Sequence, residues 1–469
     1  MKGELRMSLF RTKSIDQLIR TSQSGQTLKK SLGTFDLTML GIGAIVGTGI
    51  FVLTGKGAVT AGPALVLSFI LAGLACAFAA LCYAEFASIV PVAGSVYTYS
   101  YATLGEFVAW IIGWDLILEY ALATSTVSVG WSGYAQSLLK GITGWELPKA
   151  LTAAPGAAEG AYFNLPAFLI VMLIAFLLSR GIKESTRINN VMVLIKIAVV
   201  LLFIFVGVGY VKPDNWQPFM PYGFSGVFQA AALVFFAYIG FDAVSSAAEE
   251  AKNPSRDLPR GIIFSLAICT ALYIIVTLIM TGIVPFPQFH GVDHPISLAL
   301  QVAGQNWVAG FIDLGAILGI TTVLLVMTYG QTRISFAMSR DGLLPKLFSS
   351  VHPKYQTPYG STWLVGIICG LIGGLVPLDT LAELTNIGTL AAFTLVSIAV
   401  LVLRKKQPDL KRAFRVPFVP LIPILAVVFC VFLMVQLKWQ TWMAFFIWLV
   451  IGLVIYFGYS RSRSKLNQQ

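Results

Sequence analysis

Charge is what this sequence has least of. Only 11% of its 469 residues are Asp, Glu, Lys or Arg, against roughly 25% in an average soluble domain. A soluble chain of this length could not cover its surface with so few, which excludes a cytosolic enzyme and a disordered regulator. Cysteine and histidine are sparse too, at five and three residues. Cys76, Cys82, Cys269, Cys369 and Cys430 all lie in apolar stretches and none forms a Cys-x-x-Cys pair, so neither a disulfide framework nor a zinc site is indicated. His290 and His294 have no third ligand nearby, so no metal is expected. The first 35 residues are polar and basic without an apolar core before a cleavage site, which argues against a cleaved signal peptide. The net charge of +11 does not indicate a nucleic-acid partner, because the basic residues sit in short segments between apolar runs.

What is abundant is apolar. Residues of the AVILMFWYC set make up 57% of the chain, and mean hydropathy is +0.80. The class this leaves is an all-α polytopic membrane protein. A spanning helix needs about 20 mostly apolar residues, and twelve candidates follow: 36–56, 63–90, 102–127, 164–180, 189–211, 226–248, 261–284, 305–332, 361–376, 383–403, 418–437 and 441–459. Segments 128–163 and 285–304 read as external loops and 333–360 as an internal one. With the N-terminus inside, the alternation places 26 basic residues on the inner side and 5 on the outer, with Lys196 left inside a span. That asymmetry predicts a multi-pass membrane protein with both termini cytoplasmic.

Two spans carry signs of interruption. The first contains Gly41, Gly43, Gly47 and Gly49 within nine residues, each costing a helix roughly 1 kcal/mol against Ala. Close helix packing explains such a run; so does an unwound hinge, whose outer half-helix would offer free N–H groups and a positive dipole end to an anion. The sixth span has Gly240 at mid-span beside Asp242, and a half-helix ending there would leave carbonyls free for an ammonium group. Paired interruptions in the two halves of a chain are the sequence pointer to an inverted-repeat transporter site. Donors for an anion facing acceptors for a cation match a small zwitterion, such as an α-amino acid.

Ionisable residues inside spans are functional candidates by default. Lys196 reads either as snorkelling to the headgroups or as an ammonium facing the bundle near the first hinge. Asp115 and Glu119 share one face of the third span, as structural hydrogen-bonding groups or as a proton relay, with Glu119 the preferred candidate. Asp242 is expected to cap the inner half of the sixth span, and Glu85 and Asp313 to be structural. Glu249, Glu250, Lys252, Arg256, Asp257 and Arg260 form a charged inner loop, either gating or solvated. No nucleophile–base set points to an enzyme.

The segments GIGAIVGTGIF (41–51), AEFASIVPVAGSVYTYSYATLGEFVAWIIGWDLILEY (84–120), FFAYIGFDAVSSAAEEAKNPSRDLPRGI (235–262) and RISFAMSRDGLLPKLFSSVHPKYQTPYG (333–360) resemble the amino acid–polyamine–organocation superfamily, specifically bacterial relatives of the cationic amino acid transporters. The resemblance implies a LeuT-type five-plus-five inverted repeat with two extra C-terminal helices. Its parts would be a cytoplasmic segment 1–35, repeats 36–211 and 212–403, a final helix pair 404–460 and a cytoplasmic tail 461–469. It implies that the substrate carboxylate meets backbone N–H groups near Ile45, Val46, Thr48 and Gly49. The ammonium would meet carbonyls of Phe236, Ala237 and Ile239, with Phe236 as an aromatic gate. Met327 would shorten the side-chain pocket, favouring small neutral amino acids such as alanine over arginine and lysine. A lysine on the fifth span takes the place of sodium in proton-coupled relatives, so Lys196 and Glu119 become the proton-coupling candidates. No sodium site and no cofactor is expected. The function implied is proton symport of an amino acid, with exchange or cationic amino acid transport as alternatives; an accessory subunit is left open.

Overall fold

In hydrocarbon every backbone N–H and C=O needs an internal partner, so long apolar runs fold as helices. The computed structural model describes residues 11–12, 31–89, 95–181, 186–247, 250–410 and 412–467. Most of segment 1–35, and Glu249 of the charged loop, lie outside the described residues. Among those described the protein is all-helical, and its only β-type pairing is the isolated bridge Leu32–Ala251.

The first half of the chain gives α1 (Thr34–Ile45), a π-turn at Gly49–Leu53 leading into α2 (Thr54–Ala61), α3 (Leu65–Ile89), α4 (Ser95–Thr103), α5 (Glu106–Thr143), α6 (Leu165–Ser179) and α7 (Thr186–Gly207). The second half gives α8 (Gly223–Val234), a 3-10 turn at Phe235–Tyr238, α9 (Ala243–Ser246), α10 (Pro254–Ile283), α11 (Pro295–Val302), α12 (Asn306–Arg340), α13 (Tyr359–Leu375), α14 (Leu378–Lys406), α15 (Leu421–Val435) and α16 (Trp439–Ile455). Among the described residues, seven helical segments are long and apolar enough to cross a bilayer, and five shorter apolar helices accompany them. Several expected boundaries shift. The third span starts at Glu106 rather than 102, because α4 is a separate helix, and it runs on to Thr143 through residues expected to be loop. Small and apolar residues without proline, several buried (Val129, Ser132, Tyr134), carry the helix until Gly144 ends it in the left-handed region at φ 69°. Likewise α12 extends eight residues past 332.

Burial ranks the helices. The apolar windows of α5 and α14 are each 67% buried, whereas that of the last helix is 22% buried and that of α7 33%. The former pair therefore belongs to the interior, and α7 and α16 turn Leu194, Phe205, Val450 and Val454 outward, where lipid would cover them.

Glu85 is structural, as the sequence suggests. At the end of α3 its carboxylate accepts hydrogen bonds from Arg404 Nε and Nη2 (2.8 and 2.6 Å) and from the Val416 N–H (2.8 Å), while Arg412 Nε lies 3.1 Å away. Three segments distant in sequence are pinned by one buried carboxylate. Removing one member of a buried ion cluster costs about 3–5 kcal/mol, because the remaining charges lose their partner. Glu85→Ala is therefore expected to lower the thermal transition of the purified protein steeply; a melting curve matching the parent would contradict this.

Candidate functional site

The site begins with two helices that stop short. The first ends at Ile45, with Val46 extended (ψ 100°), and helical structure resumes at Thr48. In the sixth expected span, α8 tightens into the 3-10 turn, Ile239 is extended (ψ 135°) and Gly240 takes φ 119°. That φ is open to glycine and strained for other residues. The interrupted-helix reading of both segments is thus what the fold contains.

The two breaks interlock. A Cβ on Gly49 would lie 2.2 Å from Ala237 Cα, and a Cβ on Gly240 would lie 2.9 Å from the Ala44 carbonyl carbon and oxygen. Each break thus has a glycine at its closest approach to the other, so close packing and unwinding are complementary explanations of these glycines. Between the breaks is a small cavity. Ala44, Ile45, Gly47, Thr48 and Gly49 line it from the first, and Phe236 and Ile239 from the second. Ala123 and Val127 of α5 and Val323 and Met327 of α12 close the remaining side.

Six of the eight residues nominated for substrate contact (Ile45, Thr48, Gly49, Phe236, Ile239, Met327) line this one cavity. Val46 and Ala237 are buried in the breaks without lining it. A helix beginning after the first break leaves the N–H groups of its first turn without intrahelical partners. The Thr48 hydroxyl is also buried and unpaired. Donors therefore gather on one side of the cavity.

Freed carbonyls gather on the other, and buried side chains answer some of them. Asn386 of α14 donates to Ala232 O (2.7 Å) and Leu233 O (3.0 Å) at the end of α8. Tyr273 of α10 places its hydroxyl 3.0 Å from Ile45 O and 2.9 Å from Ala237 O, one acceptor in each break. Neither residue was picked out from the sequence. The available signal was a polar side chain in the middle of an apolar span. Which carbonyl each would meet is decided by packing between helices 36 to 228 residues apart in sequence.

Lys196 is fully buried. Its Nζ donates to Gly43 O at 2.6 Å, and its aliphatic stem lies against Gly319 of α12, where an added Cβ would come within 3.0 Å of Cγ. The side chain is therefore wedged between α1 and α12 and does not snorkel. The ammonium sits at the C-terminal end of α1, where the helix dipole favours a cation. Glu119 is buried with Asp115, Asp242 and Thr389 as neighbours. Asp242 differs from expectation. Its side chain makes no cap to α9; it accepts the Tyr120 hydroxyl at 3.2 Å. The four-residue α9 presents little first turn to cap, and the α5 tyrosine offers a better-placed donor. Asp313 accepts the Ser137 hydroxyl at 2.8 Å.

Comparison with known proteins gives the family of this chain. The amino acid permease family model matches residues 32–458. The chain belongs to the amino acid permease family. This permease is similar to the branched-chain amino acid permease BcaP of Bacillus subtilis (strain 168), at 68% identity over the whole of both chains. It is similar also to the methylthioribose transporter of the same organism, at 58% over 98% of this chain and all of the relative. The vacuolar cationic amino acid transporter 4 of Arabidopsis thaliana is 38% identical over 86% of this chain and 68% of the relative. The permease is thus a bacterial, cationic-transporter-like member of the amino acid–polyamine–organocation superfamily and a multi-pass membrane protein, a transport protein rather than an enzyme.

Proposed function

We propose that this permease imports neutral L-amino acids with aliphatic side chains by alternating access, coupled to protons. The observation that carries the reading is the single cavity between the two breaks, with unpaired donors from the first and carbonyl acceptors from the second. A carboxylate near Thr48 and Gly49 and an ammonium near Phe236, Ala237 and Ile239 would use both. The rest of the wall is apolar (Ala123, Val127, Val323, Met327), which suits an uncharged side chain from alanine up to the branched-chain residues. The 68% identical relative, a branched-chain amino acid permease, supports the same class. Twelve spans, ten of them in two inverted five-span repeats and two added at the C-terminal end, with both termini cytoplasmic, are the arrangement we assign to this mechanism. Ligand binding drives the cycle only through higher affinity for the closed form.

Thermal stabilisation of the purified protein across the twenty amino acids and methylthioribose tests the substrate class, since a ligand bound only by the folded form raises the transition. Stabilisation by alanine, valine, leucine or isoleucine and none by arginine is expected. Arginine or methylthioribose as the strongest stabiliser would overturn the assignment. Met327→Ser should open the end of the pocket. Arginine competition for uptake is then expected to strengthen by about tenfold or more, the scale on which pocket space discriminates side chains. An unchanged arginine inhibition curve would remove Met327 from selectivity. Counterflow with and without a pH gradient separates symport from exchange.

A further inference from the structure

A second cavity lies away from the breaks, where α6 ends, α12 nears its C-terminus and α13 begins. Its volume is about 70 Å3. One part of its wall is apolar, made by Leu178, Phe336 and Val351; the other is polar, made by Arg333, Gln356, Thr357 and Thr362. Among the described residues no acidic side chain lines it. Arg333 is exposed, its guanidinium stacks 4.8 Å over the Tyr329 ring, and no carboxylate pairs with it among the described residues. Pro358 and Thr362 bring the first turn of α13 to the same wall, and a helix N-terminus adds positive potential. The cavity therefore favours an anion that also has an apolar part.

Its surroundings narrow the choice. Arg180 stacks over Phe176 (5.1 Å) and Tyr355 (5.0 Å), and Lys354 lies 5.7 Å from the Tyr355 ring. Cations and aromatic rings at a helix end are the composition of a headgroup layer. From this level Leu169, Leu173 and Phe176 of α6, and Ile367, Ile368 and Leu371 of α13, present exposed apolar side chains, tracks on which acyl chains can lie.

We propose that this cavity is a binding site for an anionic phospholipid. Arg333 meets the phosphate, the Gln356 amide donates a further hydrogen bond to it, and the acyl chains run along α6 and α13. Arginine suits this role because its planar fork matches phosphate oxygens. The site does not depend on which substrate the first cavity takes.

Native mass spectrometry and thermal melting of the full-length protein in an uncharged detergent test it, with phosphatidylglycerol, phosphatidylcholine and inorganic phosphate as probes. Phosphatidylglycerol is expected to bind about tenfold or more tightly than phosphatidylcholine, the scale of a charge-assisted hydrogen-bonded pair, and to raise the melting temperature. Arg333→Gln should remove that preference. So should Gln356→Glu, which brings a negative charge to an exposed loop position and carries the test if the arginine variant does not fold. Arg340→Gln, near the same end of α12 but outside the cavity, should leave the preference intact. Equal binding of the two lipids, a preference surviving in both cavity variants, or equal stabilisation by inorganic phosphate alone would overturn the proposal.

Discussion

Replacing Lys196 by Met should abolish accumulation against a gradient while leaving exchange measurable. In proteoliposomes with an imposed difference of one pH unit, one proton per substrate sustains about tenfold accumulation, since tenfold is 1.4 kcal/mol. The variant is expected to equilibrate at about onefold, with counterflow of preloaded substrate still detectable. The basis is geometric: the buried ammonium donates to Gly43 O at the end of α1 and packs on Gly319 of α12, so it ties a broken helix to one of the cavity walls. Loss of the proton would weaken that tie, since a neutral amine donates a weaker hydrogen bond than an ammonium, which is how a charge change can reach the substrate site. Lys196→Arg sharpens the test. Arginine keeps the positive charge but does not give up its proton in a protein, so accumulation should fail there as well. Tenfold accumulation by either variant would exclude Lys196 from coupling.

Gly49→Ala should be nearly as severe. The added carbon would lie 2.2 Å from Ala237 Cα and 2.5 Å from Ala237 Cβ, and the first of these is main chain that cannot rotate aside. The two breaks must then separate, and overpacking of this kind costs about 1–3 kcal/mol or more. Substrate affinity is expected to fall by about thirty- to a hundredfold, read as the concentration needed for half-maximal thermal stabilisation. Gly209→Ala, where an added Cβ meets nothing within 4 Å, serves as the control and should bind as the parent does. Parent-like affinity in Gly49→Ala would mean that the breaks are not in contact when substrate binds.

The sequence made some features readable and hid others for physical reasons. Helical class followed from apolar length, because a bilayer leaves the backbone few alternatives. Both interruptions were visible because glycines inside an apolar run weaken it wherever they pack. Span ends were less so: α5 and α12 continue past their apolar stretches because nothing in residues 128–143 or 333–340 stops a helix. Asp242 was misread as a cap because its partner, Tyr120, lies 122 residues away. The same distance problem concealed Tyr273 and Asn386, whose roles come from the carbonyls they reach.

Tyr273 has one hydroxyl hydrogen and two carbonyl oxygens within bonding distance. Only one acceptor can be served at a time, so the other keeps an unanswered lone pair facing its neighbours. The two breaks therefore share one hydrogen rather than having one each. A cationic group bound where we propose would take over one of these carbonyls, and the phenol could serve the other by turning about its C–O bond.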